Sequence, residues 1–149
     1  MKFQTPTRID IELSDFLTDN LKPGMEVYVG TDSKPSPDPK YVTAVCIYNP
    51  GKGGNFIISS CRNGKRVSMR DRLLHEAYLS IECAMEISKM IGSEYPLTIH
   101  IDANQPHLNW ESGKHAKGLI GYVKGCGFNC DIKPNSWCAS SIADDFTSF

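Results

Sequence analysis

The sequence predicts an α/β fold in which helices cover both faces of one mixed, five-stranded sheet. Three stretches rich in β-branched and aromatic residues follow Met25, separated by short polar turns, and indicate an antiparallel meander. A helical period then runs through residues 68–91. Two further strands, each followed by a helix, complete the order β-β-β-α-β-α-β-α. We expect the strands at 97–102 and 128–133 and the helices at 112–125 and 136–147.

The length of the chain fits one domain, for which we predict the bounds 25–149. Residues 1–24 are expected to form a helical appendage. Ser14 or Asp10 is the predicted cap of its short amphipathic helix, and Lys22-Pro23-Gly24 ends it. The apolar side chains of this helix suit either a contact with the sheet or a dimer interface.

Composition and charge are those of an ordinary globular protein. The chain is 40% hydrophobic and 22% charged, with a formal net charge of -1, so the bulk charge indicates no polyanion or membrane partner. The sequence shows no signal-peptide pattern and no apolar stretch of membrane-spanning length, and we therefore expect a cytoplasmic protein. In a reducing compartment the six cysteines are expected to be free thiols. A zinc site at Cys126, Cys130 and Cys138 is an alternative that lacks a fourth ligand.

Two predicted strands end in an aspartate, Asp32 and Asp102. A carboxylate at the end of a buried strand is costly unless it is paired, hydrogen-bonded or bound to a cation. On the long helix, Glu76 shares the face expected to meet the sheet with Ser80 and Ile87. Glu76 is therefore the third candidate for a shared acidic site, and the alternative is a glutamate at the rim of the apolar arc.

The last predicted helix carries two adjacent acids, Asp144 and Asp145. Their side chains point about 100° apart, so that one can face the acidic site while the other is solvated. Spacing alone does not decide between them.

The ordered set of these features resembles the ribonuclease H-like superfamily and, within it, the YkuK-type family. The segments that carry the resemblance are Gly30-Thr-Asp-Ser33, Arg72-Leu-Leu-His-Glu76, His100-Ile-Asp-Ala-Asn104, Gly121-Tyr-Val…Gly127-Phe128 and Ala139-Ser-Ser-Ile-Ala-Asp144. It covers residues 25–147, and no single segment is as specific as the ordered set. The resemblance implies a ribonuclease H-like fold and selects Asp144 over Asp145. The metal-binding and catalytic acids that it implies are Asp32, Glu76, Asp102 and Asp144.

Carboxylates are hard oxygen ligands, which favour Mg²⁺ or Mn²⁺. Two such ions about 3.5–4 Å apart activate a water and stabilise the leaving oxygen of a phosphodiester. The resemblance implies that Asp32 bridges the two ions, and thus a metal-dependent nuclease acting on RNA, an RNA–DNA hybrid or structured DNA. A proofreading-type exonuclease typically carries Asp-x-Glu in its first strand, where this chain has Lys34. A junction-resolving endonuclease and a non-catalytic nucleic-acid-binding module are further alternatives.

Two groups of basic residues are candidates for contacts with nucleic-acid phosphates. The first is a run formed by Arg62, Lys65, Arg66, Arg70 and Arg72, and the second includes Lys114 and Lys117 of the second helix. The alternative for both is a solvated surface, as for most runs of charge. In the loop after the fourth strand, His107 is a candidate proton shuttle and Trp110 a candidate platform for base stacking. A surface loop without chemistry is the alternative there.

Other polar residues near the strand ends are expected to be structural. His100 alternates with isoleucines and is expected to pack in its strand, whereas His75 lies on the polar arc of the long helix and is expected to be solvated. Thr31 and Ser33 flank Asp32 and are expected to position it. No convincing Ser-His-Asp set accompanies them, so we do not expect them to act as nucleophiles.

Overall fold

A seven-stranded sheet organises residues 1–105 and 113–148, which are the residues that the computed structural model describes. Its strands are β1 (Phe3–Gln4), β2 (Asp10–Ile11), β3 (Glu26–Ser33), β4 (Lys40–Asn49), β5 (Gly53–Arg62), β6 (Leu97–Ile101) and β7 (Asn129–Asp131). Their order across the sheet is β2-β1-β5-β4-β3-β6-β7. The sheet is mixed, because β6 runs parallel to β3 and β7, while the other neighbours are antiparallel.

Three α-helices and a shorter irregular helix pack on the sheet. The α-helices are α1 (Leu13–Asn20), α2 (Met69–Ile91) and α3 (Gly113–Gly125). The irregular helix has π geometry over Cys138–Ala143 and continues as a 3-10 turn over Asp144–Phe146. Ser68 caps α2 by accepting a hydrogen bond from the Asp71 amide, and Gly92 ends it with φ 66°.

The number of strands and the ends of the helices differ from the prediction. The structure adds β1 and β2 ahead of α1, and β1 pairs with β5 at the edge of the sheet, so the predicted five-stranded sheet is too small. Two-residue strands are too short to show an alternating pattern. Helix α1 begins after Glu12 rather than at a side-chain cap from Ser14 or Asp10. The last helix is not α-helical, because its backbone is wound as a π-helix and then as a 3-10 turn.

The two faces of the sheet contribute to separate cores. On one face, Val29 and Ile99 pack with α1, α2 and α3 in the larger core, which also includes Phe16 of α1. On the other face, Ala44 packs with Cys138 and its neighbours in a smaller core. Because side chains alternate along a strand, odd-numbered residues of β3 face α2 and even-numbered residues face the C-terminal helix.

Gly30 lets the C-terminal helix approach β3 closely. A Cβ atom at Gly30 would lie 2.5 Å from the Ala139 amide nitrogen and 2.8 Å from its Cα. These are backbone atoms, which cannot move aside as a flexible side chain can. The absence of a side chain at Gly30 therefore allows the π-helix to lie against the strand that carries Asp32.

One edge of the sheet collects the ends of three strands and the starts of two helices. Strand β6 is parallel to β3, and β5 is also parallel to β3, because both are antiparallel to β4 between them. These strands end at Ser33, Arg62 and Ile101. Helix α2 follows β5, and α3 is the crossover from β6 to the parallel strand β7, so both helices start at the same edge. We call this the carboxyl edge.

Every cysteine of the chain lies within the described residues. All six cysteines are free, with Cys46, Cys83 and Cys138 buried and Cys61 and Cys126 exposed, which confirms the prediction of free thiols. Among the described helices, none is long and apolar enough to cross a membrane.

Candidate active site

Asp32 lies among the other three predicted acids at the carboxyl edge. It occupies the penultimate position of β3 and is 4% exposed. The pairing of β3 with β6 ends at Thr31 and Ile101, so that Asp32 and Asp102 follow directly beyond the last pair. Hydrogen bonds join the side chain of Asp32 to those of Asp144 and Asp102.

Glu76 reaches the site from the first turns of α2 and is buried. The Ser33 hydroxyl donates to Glu76 Oε2 at 2.6 Å. Arg72, one helical turn before Glu76, has its Nη1 atom 3.6 Å from the same oxygen and donates to the carbonyl and hydroxyl oxygens of Ser33 at 3.0 and 3.1 Å. Glu76 is therefore held on both sides, and it is not a rim glutamate.

Asp102 and Asp144 are each paired with a lysine. Lys133 Nζ lies 2.9 Å from Asp102 Oδ1, but outside hydrogen-bond alignment, so this buried oxygen accepts no hydrogen bond. Lys34 Nζ lies 3.5 Å from Asp144 Oδ1 and donates to Thr147 Oγ1 at 2.8 Å. Asp144, and not its exposed neighbour, is thus the acid of the 3-10 turn that reaches Asp32.

The described residues of the site include four acidic groups and three cations. The unequal numbers of negative and positive groups affect the pKa of Asp32. Among the residues that the structure describes, no cation forms an ion pair with Asp32. Burial, the charge of Glu76 and the hydrogen bonds to Asp144 and Asp102 raise the pKa of Asp32 to about 10. Burial also raises the pKa of Glu76 to about 8, although Ser33 and Arg72 act in the opposite direction. Both carboxyl groups are therefore harder to ionise in the folded chain than in water.

The donor chemistry of this site fits a hard divalent cation. Carboxylate oxygens are the preferred ligands of Mg²⁺ and Mn²⁺. Asp102 Oδ1 accepts no hydrogen bond, and Asp32 forms no ion pair with the described residues. In the described part of the chain, however, no three His, Cys, Asp or Glu side chains converge as a metal site. Asp32, Glu76, Asp102 and Asp144 are the residues that would hold an ion here, and Lys133 and Lys34 form ion pairs with two of them.

Comparison with known families agrees with this architecture. The model of one family, described as ribonuclease H-like, matches residues 9–148. The chain belongs to the ribonuclease H-like family. No curated protein matches it significantly. The predicted superfamily is thereby confirmed, whereas the closer resemblance to the YkuK-type group stays a prediction.

The six predicted nucleic-acid contacts of this ribonuclease H-like protein are exposed on elements that meet the carboxyl edge. They are Arg62 at the end of β5, Lys65 and Arg66 before α2, Arg70 in its first turn, and Lys114 and Lys117 at the start of α3. Arg62 donates to the carbonyl of Asp38 at 2.8 Å. Their role in binding stays a prediction, and His107 and Trp110 lie outside the described residues.

Three cations at the ribonuclease H-like site were missed by sequence analysis. Arg72 was assigned to the surface run, yet it is 7% exposed and directed at Ser33 and Glu76. The i,i+4 spacing of Arg72 and Glu76 is the signal that could have identified this pair. No sequence spacing links Lys34 to Asp144 or Lys133 to its acid, because packing brings those elements together.

The two histidines beside the site differ in how well they were predicted. The ring of His75 lies 4.5 Å from that of Tyr41 and 5.9 Å from that of Tyr78, and burial lowers the pKa of His75. The side chain is half-buried rather than fully solvated as expected. His100 is 1% exposed, as a packed strand residue should be. Its Nδ1 atom accepts a hydrogen bond from the Cys138 amide at 3.0 Å and so anchors the start of the π-helix.

Proposed function

We propose that this protein is a metal-dependent nuclease that hydrolyses phosphodiester bonds in RNA, an RNA–DNA hybrid or structured DNA. One observation carries the proposal: Asp32 is buried among three other acids and lacks an ion-pair partner among the described residues. Bound Mg²⁺ or Mn²⁺, as a pair of ions, supplies the missing charge, a water of lowered pKa and stabilisation of the leaving oxygen. The proposed ligands are Asp32, Glu76, Asp102 and Asp144.

The other residues of the site prepare it for this role. Ser33 and Arg72 hold the Glu76 carboxylate in one orientation and keep it from solvent. Lys34 and Lys133 form ion pairs with Asp144 and Asp102. Their ammonium groups therefore lie at the site, where they would contact a phosphate of the substrate.

A second candidate is a non-catalytic nucleic-acid-binding module that keeps the family fold. The observation that favours it is the set of ion pairs at Glu76, Asp102 and Asp144, together with the absence of a convergent metal site among the described residues. In such a module these pairs would be structural, and the exposed basic residues at the carboxyl edge would bind the nucleic acid.

A cleavage assay distinguishes the two candidates. Labelled RNA, RNA–DNA hybrid, single-stranded DNA and four-way junction are each incubated with the protein and Mg²⁺, Mn²⁺ or EDTA. A nuclease cleaves at least one of them with metal and none in EDTA, and Asp32→Asn abolishes the cleavage. Asp145→Asn is the matched control, because Asp145 is an exposed acid next to Asp144. Cleavage of no substrate with either metal, or equal cleavage by Asp32→Asn, contradicts the nuclease proposal, and binding without cleavage supports the module.

A further inference from the structure

A pair of cations outside the carboxylate site faces the same side of the sheet as Asp32. Lys40 and Arg62 are directly opposite each other where β4 begins and β5 ends. Side chains in such positions lie close together, and like charges there are destabilising. In the described part of the chain, neither cation forms an ion pair with the acids at Asp32.

The register of the sheet places this pair beside the carboxylate site. Asp32 is opposite Val42 on β4, two residues from Lys40. Two residues along a strand return to the same face, so Lys40 and Arg62 project from the face that carries Asp32. With strands about 4.8 Å apart and a rise of about 3.3 Å per residue, the Cα atoms of Lys40 and Arg62 lie about 8 and about 12 Å from that of Asp32.

Arg8 brings a third positive charge to this pair. It lies in the tight turn between β1 and β2 with φ 69°, a backbone conformation that is uncommon for a residue other than glycine. Its guanidinium lies 5.5 Å from the ring centroid of Phe146, in the 3-10 turn that also carries Asp144. Burial, the charge of Arg8 and the charge of Arg62 together lower the pKa of Lys40.

The described residues provide these three cations with no carboxylate partner. None of Arg8, Lys40 and Arg62 forms an ion pair there. Arg62 donates to the backbone carbonyl of Asp38, while the Asp38 carboxylate accepts from the Gly64 amide. A group of like charges gathered on one face without counter-charge attracts an anion.

We propose that Arg8, Lys40 and Arg62 form a phosphate subsite for the nucleic-acid backbone. The proposal rests on the nuclease function proposed above and adds a direction to it: the bound strand leaves Asp32 across β4 and β5, away from β6. At about 3.4 Å of rise per nucleotide, the subsite holds phosphates about two to four nucleotides from the bond cleaved at the carboxylate site. Of these residues, Arg62 belongs to the predicted basic run, and Arg8 and Lys40 are new.

Salt-dependent binding tests the subsite. Anisotropy of a labelled duplex is measured with the full chain, in Ca²⁺ or in EDTA, over a range of salt concentrations. We expect Lys40→Gln/Arg62→Gln to bind about tenfold or more weakly and to reduce the slope of log K against log salt by about two. The matched control is Lys22→Gln/Lys52→Gln, which removes two exposed lysines at the opposite edge of the sheet.

The outcomes separate this inference from the nuclease proposal. If the wild type binds and the Lys40→Gln/Arg62→Gln variant binds equally well with the same slope, the subsite is wrong and the nuclease proposal is unaffected. If the wild type does not bind the duplex in Ca²⁺ or in EDTA, the subsite is wrong, and the cleavage assay decides the nuclease proposal separately. The melting temperature of Lys40→Gln alone should equal or exceed that of the wild type, because this variant removes one of two like charges and keeps the Arg62 hydrogen bond to Asp38. A clear decrease would contradict the assignment of uncompensated charge.

Discussion

Glu76 and Asp144 approach Asp32 from opposite faces of the sheet and are held in different ways. Glu76 projects from a helix of 23 residues, its side chain is 5% exposed, and Ser33 donates a hydrogen bond to it at 2.6 Å. Asp144 lies in a three-residue turn, and its side chain is 40% exposed. Its partner Lys34 has a side chain that is 49% exposed, and the distance from Lys34 Nζ to Asp144 Oδ1 is 3.5 Å. One face therefore fixes its carboxylate, while the other leaves its carboxylate able to move.

The difference follows from the elements that carry the two acids. Helix α2 buries residues along most of its length in the larger core, so that a change at Glu76 is resisted by many contacts. The C-terminal π-helix packs in a smaller core. Although π geometry is rare in proteins overall, it often occurs at functional sites. We interpret the face of α2 as the rigid half of the site and the C-terminal face as its adjustable half.

The largest stability effect is expected at Asp32, where both halves meet. Its pKa is raised from the ordinary 3.8 to about 10, so the folded state binds more protons than the unfolded state between these values, and stability falls as pH rises through that window. Asp32→Asn mimics the protonated form. We expect this variant to raise the free energy of unfolding of the metal-free protein by a few kcal/mol at about pH 9 and by less at about pH 5.

Urea unfolding in EDTA at the two pH values measures the effect on Asp32. The control is Asp145→Asn, which removes an exposed acid outside the site and should leave the pH dependence unchanged. A loss of stability in Asp32→Asn at the higher pH would show that the four acids do not act on one another as the structure indicates.

The cations of the two halves should differ strongly in their contribution to stability. Arg72→Met removes a buried partner that contacts both Glu76 and Ser33, and we expect a loss of about 3 kcal/mol. Lys34→Met removes a half-exposed partner of Asp144 and should cost less than about 1 kcal/mol. Chemical denaturation at neutral pH measures both. Equal losses would mean that the two faces hold their acids equally firmly.

Gly30 tests the dependence of the adjustable half on close packing. A methyl group in Gly30→Ala would meet the backbone of Ala139, so the π-helix must shift, at a cost of about 1–3 kcal/mol. The Glu76 side of the site should be unaffected, because Gly30 faces the C-terminal helix. Near-ultraviolet circular dichroism should therefore change at Trp137, which packs in the smaller core. Gly118→Ala is the control, because Gly118 has open space around it and no positive φ. A loss in Gly30→Ala no larger than that in Gly118→Ala would contradict the packing argument.

The sequence allowed the rigid half of the site to be predicted better than the adjustable half. Glu76 was identified because a 23-residue helix repeats its period often enough to show which face meets the sheet. Asp144 could be separated from Asp145 only by resemblance, because the π-helix and 3-10 turn do not follow the assumed spacing of 100° per residue. The cations Lys34 and Lys133 were missed since ion pairs between distant segments depend on packing, which leaves no pattern in the sequence.

The smallest expected effects on stability, and the sharpest test of the two halves, come from metal titration. An ion that binds only the folded state raises its stability, and each tenfold loss of affinity reduces that gain by about 1.4 kcal/mol, or about 3–6 °C for a chain of this size. We expect the Mn²⁺-induced increase in melting temperature to fall most in Glu76→Gln and less in Asp144→Asn, where an adjustable turn lets water replace the lost oxygen. Asp145→Asn should match the wild type.

Two outcomes would contradict this prediction. A loss in Asp145→Asn as large as that in Asp144→Asn would place both acids at the ion. A larger loss in Asp144→Asn than in Glu76→Gln would make the C-terminal face the rigid half.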